Sequence, residues 1–101
     1  MSVLILVTGG TFDKEYDERR GRLFFERSHV REMLGRGRCL LPVRVRVLMM
    51  KDSLHMTPGD RGKVLAACRA AREKRVVVTH GTDTLVETAK LLGRELDGSG
   101  K

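Results

Sequence analysis

The chain has no tryptophan, one tyrosine, three phenylalanines and two cysteines in 101 residues. Each scarcity excludes something. Cys39 and Cys68 have neither metal-ligand spacing nor a redox motif, so they are read as reduced, small, buried or half-buried side chains. Four aromatics, Phe12, Tyr16, Phe24 and Phe25, form no stacking pattern of the RNP kind. The net charge is +7, with arginine and lysine at 20 positions, but these are scattered and interleaved with acidic residues. A solvated basic surface is therefore expected, with no specific nucleic-acid partner, although its potential can steer small anions. No apolar run approaches the length of a membrane span, so no membrane partner is expected. Residues 1–7 are apolar but have no basic segment before them and no cleavage site after them. They read as a buried strand rather than an export signal, and a cytoplasmic location is expected. At this length the chain is one domain at most.

What is present is a pair of threonine-and-glycine turns. Thr8-Gly9-Gly10-Thr11 follows the apolar run Val3 to Val7, and Thr79-His80-Gly81-Thr82-Asp83-Thr84 follows Val76 to Val78. Residues 9–22 form a polar excursion, with Leu23-Phe24-Phe25 as a short strand beside it. Ser28 is placed as the N-cap of a short helix containing Glu32 and Met33, which Gly35 or Gly37 ends. Pro42 marks a break. Val43 to Leu48 alternates apolar and basic residues as a half-buried strand. Thr57-Pro58-Gly59-Asp60 reads as a helix start, and Val64, Cys68 and Ala71 recur at helical spacing behind it. Leu85, Ala89, Leu92 and Leu96 mark an amphipathic helix. Residues 98–101 are loop-like. The order predicts an α/β fold: a three-layer, αβα, Rossmann- or flavodoxin-like parallel sheet with three main strands and helices on both faces.

In such a sheet the carboxyl ends of the strands share one edge, where ligands bind. Both glycine turns lie at strand ends. Neither matches a dinucleotide or Walker fingerprint: Gly9-Gly10 lacks a third glycine, and Gly100-Lys101 has Glu95 where the first glycine belongs. Taken singly, each turn reads equally well as a capped, tight connection. Taken together they point to a site: Thr11 and Thr82 face one pocket, with Asp83 lining it; Ser53 joins them through the resemblance that follows. The charged, glycine-containing excursion 9–22 is expected to be a mobile lid over that pocket.

Thr8-Gly9-Gly10-Thr11 and His80-Gly81-Thr82-Asp83-Thr84 resemble the two signature motifs of the bacterial-type L-asparaginases. Lys51-Asp52-Ser53-Leu54-His55-Met56 is similar to the serine-containing substrate loop of that family. The stretches 11–16 and 49–56 look closest to a short, single-domain branch. The resemblance implies an asparaginase N-terminal domain fold over residues 1–101 and hydrolysis of asparagine to aspartate and ammonia, without metal or organic cofactor. It implies Thr11 as the nucleophile, Tyr16 as its hydrogen-bonding tyrosine, and Thr82 and Asp83 as the pair that activates water or the nucleophile. Gly10, Ser53, Gly81, Thr82 and Asp83 become the substrate-binding set, with Ser53 on the α-carboxylate and Asp83 on the α-amino group of asparagine or a related amide. His55 departs from the acidic or amide residues common at its position and is read as solvent-facing. His80 is read as a structural hydrogen-bonder. The family continues with a further strand and a lysine partnering the Thr-Asp pair, where this chain ends at Lys101. An incomplete domain, impaired activity and self-association through an open sheet edge, as a homo-oligomer, are therefore expected. The competing reading is a catalytically silent module that binds a small amino acid or another protein.

Overall fold

The computed structural model describes residues 2–10, 13–25 and 27–98. Its centre is β1, Val3–Val7, whose last four residues are all buried. Uninterrupted aliphatic residues suit a strand covered on both faces. β1 is flanked by two parallel strands, β4 (Val43–Val47) and β5 (Arg75–Thr79), in the order β4-β1-β5. A separate antiparallel hairpin joins β2, Glu15–Asp17, to β3, Arg22–Phe24. Helix α1 spans Val30–Arg36, α2 spans Pro58–Ala70 and α3 spans Leu85–Glu95. A 3-10 turn at Ser53–His55 precedes α2.

Side-chain alternation along β1 divides the core between the two faces. Leu4 and Leu6 pack with Met56 and with Val64, Ala67 and Cys68 of α2, and Leu92 of α3 closes on the same cluster. Ile5 and Val7 pack with Val30 of α1 and, less deeply, with Val43, Val45 and Leu34. The sheet is thus a middle layer between helices, as the αβα reading expects. Burying each of Leu4, Leu6, Val7 and Val64 stabilises the fold by roughly 1.5–3 kcal/mol relative to exposure.

β1 leads to α1 on one face, while its neighbours β4 and β5 lead to α2 and α3 on the other. Divergence of this kind opens the carboxyl edge of the sheet at β1. β4 keeps the expected alternation: Val43 and Val45 are half-buried beneath α1, and Arg44 and Arg46 are exposed. Arg44 uses its position to grip Glu73, with Nε and Nη2 donating to the two carboxylate oxygens at 2.8 and 2.9 Å.

Several expectations are corrected. The excursion 9–22 is not one polar loop, because residues 15–17 and 22–24 pair as the hairpin. The short strand expected at 23–25 lies one residue earlier. Asp13, within the excursion read as polar and charged, is fully buried. The N-cap of α1 is His29, not Ser28. Ser28 Oγ still accepts from the Val30 N–H at 3.2 Å, so the hydroxyl serves the helix start from one residue further out. Cys39 is exposed, whereas Cys68 is buried. The start of α2 is as read: Thr57 Oγ1 accepts from the Asp60 N–H, and the Asp60 carboxylate accepts from the Thr57 N–H, a reciprocal capping box. No helix among the described residues is long and apolar enough to cross a membrane.

Candidate functional site

The loops leaving β1, β4 and β5 converge at the carboxyl edge. Thr8, almost wholly buried, donates its hydroxyl to the Thr79 carbonyl and accepts the Lys51 N–H on its own carbonyl at 3.0 Å. One residue therefore ties the first loop to both neighbours. Gly9 and Gly10 follow with φ of +109° and +112°. At Gly9 a Cβ would lie 2.6 Å from both N and O of Lys51, so only glycine permits this approach. Gly10 is buried, and its carbonyl accepts the Asp13 N–H at 3.0 Å. Thr11, the expected nucleophile, lies outside the described residues, as does Phe12.

Ser53 comes from the β4 loop and meets the β5 loop. Its Oγ accepts from the Thr84 N–H at 3.2 Å, and Thr84 Oγ1 donates to the Ser53 carbonyl at 2.8 Å. Gly81 presses against it, because a Cβ there would lie 2.9 Å from Ser53 Oγ. Ser53 is only 1% exposed. Thr82 and Asp83 follow Gly81 and are exposed at the start of α3. The structure thus brings Ser53 and Gly81 into contact and carries Thr82 and Asp83 on the same connection. Tyr16 is 62% exposed on β2, opposite Leu23, and its hydroxyl lies beside Gly21 in the hairpin turn.

His80 joins the β5 loop to α3. Its Nδ1 lies 2.6 Å from the Gly81 carbonyl, which can only accept, so Nδ1 carries the proton. Its Nε2 then faces Thr88 Oγ1 at 2.8 Å. Both ring nitrogens are occupied, which fits the expected structural role. His55 is exposed, in line with its solvent-facing reading.

Three features of this edge escaped the sequence. Asp13 accepts from the His29 N–H at 2.7 Å and from Ser28 Oγ at 2.8 Å, stapling the first loop to the start of α1. Lys14 contacts both carboxylate oxygens of Asp52, at 2.6 and 2.8 Å, and lies 5.2 Å from the centre of the Phe25 ring. The base of the hairpin is thereby anchored to the Ser53 loop. Lys51 donates to Asp60 Oδ2 at 2.9 Å. That hydrogen bond, seconded by the Thr57 N–H, lowers the Asp60 carboxyl to a pKa of about 2. No sequence signal announces these contacts, because each joins residues whose proximity the fold creates. Among the described residues, no group of three or more histidine, cysteine and acidic side chains stands ready for a metal.

Comparison with known proteins bears on the same elements. The sequence model described as "Asparaginase, N-terminal" matches residues 2–101. Among curated protein sequences no match is found. Solved structures that are similar include the thermostable L-asparaginase from Thermococcus kodakarensis, at 26% identity and a TM-score of 0.70 over 93% of this chain and 30% of that one. L-asparaginase I from Vibrio cholerae O1 biovar eltor matches at 25% identity and a TM-score of 0.68, over 91% of this chain and 29% of that one. The chain thus spans less than a third of the length of these structures. With a family match over nearly all of its residues and the convergent glycine turns behind it, the chain belongs to the asparaginase family, in its N-terminal part.

Proposed function

We propose that these residues form the N-terminal portion of an L-asparaginase-type amidohydrolase site acting on asparagine or a related amide. The observation that carries the reading is the convergence of the Gly9-Gly10 turn, the Ser53 loop and the Gly81-Thr82-Asp83 turn on one sheet edge. In this reading Thr11 Oγ attacks the side-chain carboxamide carbon. An amide is a poor electrophile, so the developing oxyanion needs donors, which backbone N–H groups of a glycine turn can supply. Ammonia leaves with the transferred proton, and water cleaves the resulting ester to release aspartate and restore the threonine. Thr82 assists the proton transfers with Asp83. Asp83 grips the substrate ammonium, and Ser53 the α-carboxylate. Tyr16 is assigned the hydrogen bond to the nucleophilic threonine.

A second reading is a silent amino-acid-binding or protein-interaction module. The burial of Ser53 favours the protein-interaction form, because that hydroxyl accepts from the Thr84 N–H against Gly81 and is closed to a small-molecule carboxylate. Groups that act as a unit lose several powers of ten in rate when one is absent, so activity is the sensitive measure. Ammonia release from asparagine by the 101-residue chain is the test. Turnover that Thr11→Ala abolishes supports the amidohydrolase. Aspartate binding lost in Asp83→Ala, with no ammonia from any concentration of asparagine, supports the silent module.

A further inference from the structure

The hairpin gathers charge that the sheet does not use. Asp17 faces Arg22 across it, and Glu15 faces Phe24. Alternation puts these four on one side and Tyr16 and Leu23 on the other. The turn between the strands is tightly determined. Gly21, at φ +62°, donates to the Asp17 carbonyl at 2.8 Å. Asp17 Oδ1 accepts from the N–H groups of Arg19 and Arg20 at 3.1 and 3.3 Å. Arg19, Arg20 and Arg22, with Asp17 and Phe24, line a concavity of about 410 Å³.

The electrostatics of that concavity are unbalanced. Among the described residues that line it Asp17 is the only carboxylate, with Glu15 further along the same side: Oδ1 is spent on the turn, and Oδ2 lies 3.6 Å from Arg20 Nε. Arg19 and Arg22 form no ion pair among the described residues. Two guanidinium forks are left to face solvent beside a phenyl ring that is 36% exposed. Guanidinium matches phosphate oxygens in a bidentate fashion, and an exposed phenyl face stacks on a planar base. The volume falls within the range of small-ligand sites, roughly 300–1,000 Å³. The overall charge of +7 adds attraction for anions at a distance.

We propose that this side of the β2–β3 hairpin binds a nucleoside polyphosphate, with Arg19, Arg20 and Arg22 on the phosphates and Phe24 under the base. None of the four is among the residues assigned to catalysis or substrate binding in the amidohydrolase reading, and the three arginines lie in the excursion expected to cover that pocket.

The test is titration of the isotopically labelled chain, followed by NMR, with ATP, tripolyphosphate, adenosine and a short single-stranded oligoadenylate. ATP is expected to shift resonances within residues 15–24, to bind more tightly than tripolyphosphate, and to leave adenosine without detectable binding. Arg22→Gln and Phe24→Ala are each expected to weaken ATP about tenfold, the loss of one charge-assisted contact or one stack. Unchanged shifts of the sheet residues in each variant establish that it remains folded. Arg36→Gln, which removes the same charge outside the concavity, is expected to leave ATP affinity unchanged. Shifts spread over the chain, an equal loss in Arg36→Gln, or tripolyphosphate binding as tightly as ATP would reduce the effect to non-specific attraction and overturn the proposal. Oligoadenylate binding more tightly than ATP at the same residues would reassign the source of the base and phosphates to a nucleic-acid strand and overturn the free-nucleotide assignment.

Discussion

Gly9 and Gly62 are the same residue type under opposite constraints. At Gly9 a methyl group collides with the Lys51 backbone at 2.6 Å and the backbone is left-handed, at φ +109°. Gly9→Ala is expected to destabilise the chain by about 2 kcal/mol or more, read as a lower urea midpoint. Gly62 lies inside α2 with nothing within 4 Å of an added Cβ. Gly62→Ala is expected to stabilise by roughly 0.5–1 kcal/mol, since alanine loses less conformational freedom in a helix. The first constraint was legible, because Gly9 stands in a strand-end motif. Asp13 was not, because its carboxylate is satisfied by Ser28 and His29, fifteen and sixteen residues on. Asp13→Ala leaves those donors at a buried position and is expected to cost about 1–3 kcal/mol in the same measurement.

At the scale of elements, the capping box of α2 was written in Thr57-Pro58-Gly59-Asp60, since capping is local chemistry. Its reinforcement by Lys51 was not, because the β4 loop must first fold back. The same holds for Glu73, whose carboxyl is held at a pKa of about 2, chiefly by the hydrogen bonds from Arg44. Asp60 and Glu73 both lie below their ordinary values of 3.8 and 4.5. The folded state therefore binds fewer protons than the unfolded chain between those values and about 2. Stabilisation from both pairs is complete above the ordinary range and is lost as pH falls toward about 2. Thermal midpoints are expected to be flat from about pH 6 to pH 5 and to fall steadily below about pH 4.5. Lys51→Met removes the largest cause of the Asp60 shift, so the Asp60 carboxyl carbon should then titrate at higher pH by NMR. An unchanged titration would show that the Thr57 N–H alone sets the value.

For the whole molecule, the open question is the sheet's edges. Among the described residues β4 and β5 each pair only with β1. The exposed side of β5 includes Val77, which is 50% exposed on the face where α1 covers β1 and β4. A free, apolar strand edge is a template for pairing with another chain. Sedimentation is expected to show concentration-dependent association above the 11.4 kDa monomer. Val77→Lys, a charge at the edge, should return it to the monomer. A wild-type chain monomeric at every concentration would remove the edge as an interface.

Local pattern by itself determined the three parallel strands, the start of α2, the existence of α3 and the two glycine turns, because periodicity, capping and tight turning are properties of neighbouring residues. It also placed both turns at one edge, since parallel strands share their direction. Only the tertiary structure decided that Ser53 is closed against Gly81, that Asp13 is buried, and that Tyr16 extends along the hairpin with its hydroxyl beside Gly21. These depend on contacts between segments up to dozens of residues apart, such as Ser53 with Thr84. Packing sets such contacts, and no local spacing encodes them.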